Sequence, residues 1–190
     1  LCAKSFPEQT GCLNYDRESN TINIGLGTGR IFFYKLDPDS GFTQYENYID
    51  FKPHKSLVTG VSYDVQTGYI YSCSSDKKFY ITEINYLDNP SEIMDNACGY
   101  TIMHHDRKYQ RMFLCNELGM VDVYLTQNFP PTLVNSVQTS SEYPIKGFCI
   151  DLIKCYIFTC AGNGLLSVLD LNSPGKEKLI KEISYFGGEN

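Results

Sequence analysis

A short pattern recurs four times along the chain and constrains its fold more than any other feature. Its copies are "GLGTGRIFFYKL" at 25–36, "CSSDKKFYITEI" at 73–84, "CNELGMVDVYLT" at 115–126 and "CAGNGLLSVLDL" at 160–171. In every copy a polar or Gly-containing turn precedes a run of alternating apolar residues, which is the pattern of a β-hairpin. The polar stretch around Asp76 is therefore part of a structural repeat and not an isolated functional loop.

An aspartate lies nine residues before the first position of every copy. The four residues are Asp16, Asp64, Asp106 and Asp151. An Asp side chain accepts hydrogen bonds from its own backbone two residues on, and it therefore favours turns. Each unit predicts a strand, an Asp turn, a second strand, a Gly or Asp turn and a third strand.

A fourth, less regular strand fits between the units. The candidates are "FTQYENYIDF" at 42–51, "TLVNSVQ" at 132–138 and "KLIKEISYF" at 178–186, with a short and weak counterpart, "SEIMDNAC", at 91–98. Four antiparallel strands repeated every ~40 to 45 residues are typical of propeller blades. We predict an all-β fold, a β-propeller of about four blades that forms a single domain or part of a larger propeller. The predicted repeat units are residues 12–54, 55–98, 99–140 and 141–190.

The second unit, "FKPHKSLVTGVSYDVQTGYIYSCSSDKKFYITEI", resembles a WD repeat in the order of its parts. His54 precedes the first strand, small residues close the second strand at Ser72 and Cys73, and Asp76 lies in the hairpin. The signature Trp-Asp dipeptide is missing, because the chain has no Trp. Its positions hold Tyr34-Lys35, Thr82-Glu83, Tyr124-Leu125 and Leu169-Asp170. The resemblance implies that His54 and Asp76 keep part of a structural hydrogen-bond network.

Residues 12 to about 126 also resemble consecutive blades of WD-repeat proteins that carry a FYVE zinc finger. The runs that carry this resemblance are "NTINIGLGTGRI", "ENYIDFKPHKSLVT", "YIYSCSSDKKF" and "FLCNELGMVDVY". The basic, His-rich and Cys-rich FYVE motif is absent here, so the lipid binding of those relatives does not transfer to this chain. The alternative function that the resemblance implies is the propeller part of an endosomal phosphoinositide-associated adaptor whose lipid-binding finger lies outside this chain. Such propellers usually have seven blades. The resemblance implies a partial propeller, with the missing blades in the same full-length chain or supplied by a partner.

Composition argues against several classes of function. A net charge of −6 does not favour nucleic acid as a partner, because nucleic-acid binding depends on clustered Lys and Arg. The longest apolar runs, such as "IFFY" at 31–34, are too short for a direct membrane span. We expect a cytoplasmic chain, with endosome association of the full-length protein as the alternative.

Eight cysteines invite a disulfide or zinc reading, but none forms a C-x2-C pair. We expect free, mostly buried thiols. Cys73, Cys115 and Cys160 share one repeat position with Gly25, which indicates a site for small residues and not a catalytic thiol. No cofactor and no metal site are predicted.

Two further motifs could carry chemistry. "GLGTGR" at 25–30 resembles a nucleotide loop, but a β-rich run follows it in place of a helix. His104 and His105 are adjacent on a predicted strand and therefore point to opposite faces, which favours packing over metal binding. We predict that the chain is not an enzyme. The alternative is an active site assembled from loops around His104, Asp106 and a Ser or Cys.

The hairpin loops of a propeller lie along its rim on a rigid scaffold, and such loops commonly bind other proteins. We therefore predict a scaffold for protein–protein interactions. The candidate partner-binding rim consists of Arg30, His54, Lys55, Asp76, Lys77, Lys78, Glu117 and Asn163. Ordinary solvated turns are the alternative reading of each residue. Lys77 and Lys78 lie with Lys52, His54 and Lys55 on one predicted rim, which favours an acidic peptide segment or an anionic membrane surface as the partner.

Overall fold

The computed structural model describes residues 6, 8–40, 45–139, 142–172 and 175–184. Within these residues the chain forms sixteen β-strands and no helix. The strands are β1 Thr10–Asp16, β2 Thr21–Leu26, β3 Ile31–Leu36, β4 Tyr45–Phe51, β5 Val58–Asp64, β6 Tyr69–Ser74, β7 Lys78–Glu83, β8 Ser91–Asp95, β9 Tyr100–Asp106, β10 Arg111–Asn116, β11 Met120–Leu125, β12 Thr132–Gln138, β13 Ile145–Asp151, β14 Tyr156–Ala161, β15 Leu165–Asp170 and β16 Lys178–Ser184.

The strands form four antiparallel sheets of four strands each. The first sheet is β1–β4, the second β5–β8, the third β9–β12 and the fourth β13–β16, and each strand pairs with its neighbour in sequence. The predicted all-β class and the repeated four-stranded sheets are confirmed. The weak fourth strand of the second repeat is present as β8, Ser91–Asp95.

The chain divides into two compact units, Leu1–Gly99 and Tyr100–Asn190. Unit 1 contains the first and second sheets, and unit 2 contains the third and fourth. In unit 1, Phe33 of the first sheet packs with Val61 and Ile70 of the second. In unit 2, Phe113 of the third sheet packs with Ile157 of the fourth. Each such fully buried side chain contributes about 1.5–3 kcal/mol, which makes these cores the main stabilising feature of each unit.

The Asp turns have the same geometry in all four sheets. Each of the four aspartates ends the first strand of its sheet, and its Oδ1 accepts a backbone N–H from within the turn, at 2.9–3.3 Å. The fourth residue after each Asp has a left-handed backbone, at Asn20, Gly68, Gln110 and Cys155. The carbonyl of that residue accepts an N–H at the end of the third strand, from the last strand residue Leu36 in the first sheet and from the residue after the strand in the other three. The repeat seen in sequence is thus a repeat of backbone conformation.

The hairpins between the second and third strands also share one backbone position. A left-handed residue lies at Gly29, Lys77, Gly119 and Gly164, with φ between 74° and 87°. Lys77 is the member of this set that carries a side chain. Because a Cβ is disfavoured in this conformation, a lysine here costs stability that the three glycines do not.

Every sheet carries the same two irregularities. The first strand of each sheet has one extra residue where it begins, and the fourth strand has one near its middle. Bulges of this kind increase the local right-handed twist of a strand pair. The apolar pattern used for the sequence prediction does not contain them.

Candidate interaction surface

In unit 1 the loop at residues 52–57 connects two hairpins of neighbouring sheets. The N–H of His54 bonds to the carbonyl of Gly29 in the first hairpin at 3.3 Å. The approach is close enough that a Cβ on Gly29 would overlap the carbonyl of His54. On its other side the loop bonds to the second hairpin, where Ser75 N–H donates to the Leu57 carbonyl at 3.0 Å. The structure therefore brings the hairpin that contains Arg30 and the hairpin that contains Asp76 onto one loop.

Asp76 holds the loop and its own hairpin together. Its Oδ2 accepts the N–H of Lys55 at 2.8 Å, and its Oδ1 accepts the N–H of Lys78 at 3.1 Å. Its own N–H donates to the hydroxyl of Ser74 at 3.1 Å. One carboxylate thus fixes the backbone of both segments, with Lys55 on one side and Lys77 on the other.

His54 completes the network from within the protein. Its Nδ1 lies 3.1 Å from Asp76 Oδ2, and its Nε2 lies 2.9 Å from the Ser72 hydroxyl. The tautomer with the proton on Nδ1 satisfies both contacts, since it donates to the carboxylate and accepts from Ser72. The side chain is 2% exposed, so His54 supports the candidate rim from behind. Thr82 stands at the missing Trp position, and in the described residues its hydroxyl has no hydrogen-bond partner.

The order Ser72, His54, Asp76 is also the order of contacts in a hydrolase triad. The nucleophile of such a triad must reach the carbonyl of a substrate. Ser72 is 0% exposed and lies within a strand, so its hydroxyl has no path to a substrate in this conformation. The arrangement holds the hairpin, and it is not built for acyl transfer as it stands.

The electrostatics of Asp76 favour the ionised form. Burial alone would raise the pKa of its carboxyl. The hydrogen bonds from His54 and from the N–H groups of Lys55 and Lys78 outweigh that effect and lower the pKa to about 2. The carboxylate therefore stays charged across the physiological range and keeps the loop attached.

The exposed positive charge at this surface is carried by lysines. Arg30 forms a bidentate pair with Asp50, at 2.6 and 2.9 Å from its Nη2, which neutralises its charge locally. Lys52, Lys55 and Lys77 are exposed. We call these three residues, with the loop at 52–57 and the hairpin tip at 75–77, the lysine surface. Lys78 begins β7 and is half-buried.

The remaining candidate rim residues lie in unit 2. Glu117 is in the hairpin between β10 and β11, and Asn163 is in the hairpin between β14 and β15. Both are exposed. The Asn163 side chain accepts the N–H of Leu165 at 3.1 Å, a contact within its own turn.

The residues of the alternative active site, His104 and Asp106, have different partners in the structure. His104 packs against the rings of Phe148 and Phe113, and its burial lowers its pKa, an effect that Asp106 opposes. Asp106 pairs with Arg111, its Oδ2 lying 3.2 Å from Nη2. No hydrogen bond joins His104, Asp106 and a Ser or Cys hydroxyl or thiol among the described residues.

Seven cysteines are described, and all are free thiols; Cys2 lies outside the described residues. Three are buried, which is fewer than the expected majority. Cys149 and Cys160 are exposed because they lie on the face of the fourth sheet that is turned away from the third. Burial raises the pKa of the Cys73 thiol far above its usual range, so this sulfur is protonated and unreactive. The expected need for a small residue at this repeat position is confirmed at Gly25, where an added Cβ would lie 2.6 Å from a side-chain atom of Val58.

The part played by Ser72 was missed by the sequence reading, which treated it only as a small residue. The sequence signal for this role is its position, two residues before the end of a strand and four before Asp76, because a hydroxyl there can bond to a His that precedes the first strand.

Comparison of the sequence with protein-family models gives no match, and comparison with curated proteins gives no significant one. No membrane-spanning helix occurs in the described part of the chain. The same residues contain no cluster of three or more His, Cys, Asp and Glu that could hold a metal ion.

Proposed function

We propose that this chain is a non-catalytic binding module of the WD-repeat β-propeller type, which holds acidic segments of partner proteins on the lysine surface. The propeller part of the proposal is supported by four antiparallel four-stranded sheets with common turns and common bulges. Four-stranded sheets in radial repetition are the construction of that fold.

The observation that carries the binding part is the position of the Asp76 carboxylate. It bonds to Lys55 N–H and to Lys78 N–H, and it is braced from below by His54. Exposed loops on a rigid base are the usual place for recognition, because little ordering entropy is lost on binding. Lys77 adds a second argument, since a side chain in a left-handed position persists at a cost and such outliers concentrate at functional sites.

A short acidic peptide fits this surface better than an extended anionic partner. Three lysines form a local positive area on a chain of net charge −6. A membrane or a nucleic acid duplex would extend past that area and meet the acidic remainder of the protein. A peptide of a few Glu or Asp residues contacts the lysines alone, and its capture depends on charge complementarity.

The test is binding of a fluorescein-labelled peptide of alternating Glu and Ser, followed by fluorescence anisotropy over a salt series. The variant is Lys55→Glu with Lys77→Glu. The control is Arg17→Glu with Lys35→Glu, which makes the same change of net charge at the opposite end of the first sheet. We expect the lysine-surface variant to lose affinity at about 50 mM salt, where the Debye length is roughly 14 Å, and the control to keep it.

Equal affinity of the lysine-surface variant and the wild type at that salt concentration would exclude this surface. Equal losses in both variants would show that net charge, and not the surface, attracts the peptide. Vesicles of anionic lipid serve as the second probe. If they bind the wild type and the acidic peptide does not, the partner is a membrane surface and the proposal is wrong.

A further inference from the structure

Arg111 breaks the repeat at one position in unit 2. It begins β10, and the corresponding first residues of β2, β6 and β14 are Thr21, Tyr69 and Tyr156. Arg111 is 5% exposed and is the one buried Arg or Lys among the described residues. A buried guanidinium is expensive to desolvate, and it is normally paired through most of its donors. The residue therefore needs an explanation that the repeat does not supply.

The hydrogen bonding of the Arg111 guanidinium is incomplete. Nη2 donates to Asp106 Oδ2 at 3.2 Å, and Nε is buried with no hydrogen-bond partner in the described part of the chain. A guanidinium has five N–H donors. Arg111 lies over the rings of Tyr109 and Phe113, at 5.2 and 5.7 Å from their centroids. These cation–π contacts compensate part of the desolvation and leave donors for a further acceptor.

A cavity of about 230 Å³ lies beside this guanidinium within unit 2. Its lining residues are Tyr109, Arg111, Leu152, Cys155, Leu171 and Asn172. The walls are mostly apolar. Sites for drug-sized ligands and cofactors have volumes of about 300–1,000 Å³, so this cavity fits a smaller group, such as one amino-acid residue. We call it the Arg111 cavity.

The turns around the cavity carry charges of both signs and exposed apolar surface. Lys108 and Lys154 are exposed, and Ile153 is 94% exposed. The nearby carboxylates of Asp151 and Asp170 accept backbone N–H groups in their own turns. The rim therefore has two exposed lysines that can pair with an acidic ligand, beside two carboxylates that are held in their own turns by these hydrogen bonds.

We propose that the Arg111 cavity binds the C-terminal residue of a partner peptide, with the apolar side chain against Leu152 and Leu171 and the terminal carboxylate on Arg111. A C-terminal apolar residue combines the two required groups in one residue: an aliphatic or aromatic side chain for the walls and a carboxylate for the guanidinium. Arginine and carboxylate form strong charge-assisted hydrogen bonds, and these are strongest where water is excluded. Acidic residues upstream in the peptide complement Lys108 and Lys154. This site is separate from the lysine surface and does not depend on it.

The test measures binding of a peptide panel to the full chain by calorimetry. The probes are acetyl-Gly-Glu-Gly-X peptides, in which X is Leu, Ile, Val, Met, Phe or Tyr, each with a free C-terminal carboxylate and with a C-terminal amide. We expect at least one free acid to bind, and its amide to bind at least about tenfold more weakly. N-acetyl-leucine is the small-acid arm. If it binds as tightly as the best peptide, the cavity takes free carboxylic acids and the peptide assignment is wrong.

Two variants assign the binding to the cavity. Asn172→Trp places a large ring at an exposed lining position and leaves Arg111 intact, and the matched control is Asn163→Trp at an exposed hairpin tip. Asp106→Asn with Arg111→Gln removes both charges of the buried pair and so avoids an unpaired carboxylate. We expect Asn172→Trp to lose peptide binding about tenfold or more with unchanged Tm, the double variant to lose it, and the control to keep it.

Several results would overturn the proposal. These are no binding by any peptide up to about 1 mM, equal binding by acid and amide, and wild-type binding by a folded Asn172→Trp protein. The Lys55→Glu, Lys77→Glu variant should bind the peptides like wild type. That result separates failure of the Arg111 cavity from failure of the lysine surface.

Discussion

The hairpin tips of the second and fourth sheets share a local turn and differ in the partners of the turn side chain and in the burial below it. Asp76 Oδ1 accepts the N–H of Lys78 at 3.1 Å, and Asn163 Oδ1 accepts the N–H of Leu165 at 3.1 Å. Both turns are followed by a left-handed residue, Lys77 in one and Gly164 in the other. Both hairpins also bond to the segment before the first strand of their sheet, where Ser75 N–H donates to the Leu57 carbonyl and Gly162 N–H to the Pro144 carbonyl. The difference lies in the turn side chain: Asp76 also bonds to Lys55 and His54 in the loop at residues 52–57, whereas among the described residues the Asn163 side chain bonds only within its own turn.

The side chains below the Asp76 tip are also more buried than those below the Asn163 tip. The pair Cys73 and Phe79 is fully buried, whereas Cys160 is exposed and Leu166 is half-buried. The local sequence is therefore enough to specify the turn. Contacts from elsewhere in the chain decide how rigidly the tip is held, and hence whether it can present side chains to a partner. The following predictions test that difference by making matched changes in both hairpins.

The largest effect is expected below the Asp76 tip. Phe79→Ala should lower the free energy of unfolding by about 3–5 kcal/mol, because a fully buried aromatic side chain is replaced by a cavity. Leu166→Ala, at the equivalent position of the fourth sheet, should cost about 1–2 kcal/mol, because that side chain already has partial contact with solvent. Urea denaturation measures both changes. Similar costs for the two variants would contradict the difference in burial.

The second prediction concerns the turn side chains. Asp76→Ala should cost about 2–3 kcal/mol, because two backbone N–H groups and His54 Nδ1 lose a charged acceptor. Asn163→Ala should cost about 0.5 kcal/mol, since it removes one exposed contact within a turn. Thermal denaturation of the two variants measures the difference. A cost for Asn163→Ala as large as that for Asp76→Ala would mean that the local turn, and not the long-range network, stabilises these tips.

Sequence reasoning reached the repeat because turn chemistry and apolar alternation are local properties. The four Asp turns lie at the predicted aspartates. β12 coincides with the predicted strand at 132–138, and β16, Lys178–Ser184, lies within the predicted strand at 178–186, of which residues 185 and 186 lie outside the described residues. The bulges are not visible in the sequence, because one extra residue in a strand pair follows from the twist of the whole sheet and not from the residue type.

The candidate site was harder to predict for a similar reason. His54 was expected on the rim, and its burial results from contacts with residues 18 and 22 positions away. The sequence patterns do not single out Arg111. Its unusual position is apparent only when the first residues of β2, β6, β10 and β14 are aligned, and that alignment requires the strand register.

The third prediction uses the pKa of Asp76. The folded value of about 2 lies below the ordinary value of 3.8, so the carboxylate contributes stability above about pH 4, and this contribution is lost as pH falls through 2. The loss should be on the order of 1.5–2 kcal/mol between pH 6 and pH 2.5. Asp76→Asn should lack this part of the acid dependence. Asn163→Asp is the matched control, because it adds a carboxylate to the same local turn without a His partner.

Chemical denaturation at several pH values distinguishes these cases. The gap in unfolding free energy between wild type and Asp76→Asn should narrow toward pH 2.5. The gap between wild type and Asn163→Asp should stay within a few tenths of a kcal/mol, as for an ordinary surface substitution. A constant gap for Asp76→Asn would show that the network does not stabilise the ionised carboxylate.

The smallest effect is expected at the left-handed position itself, where the two hairpins can exchange residues. Lys77→Gly should raise the free energy of unfolding by about 0.5–1 kcal/mol, because relief of the left-handed strain outweighs the greater freedom of Gly in the unfolded chain. Gly164→Lys should lower it by about 1 kcal/mol for the opposite reason. Thermal denaturation measures both, and anisotropy with the acidic peptide measures binding. If Lys77 serves recognition, Lys77→Gly should be more stable than wild type and should bind the acidic peptide more weakly at low salt. Such an exchange of stability for function is common at functional sites. A variant that gains stability and binds the peptide like wild type would remove Lys77 from the lysine surface and leave its strain without a functional reason.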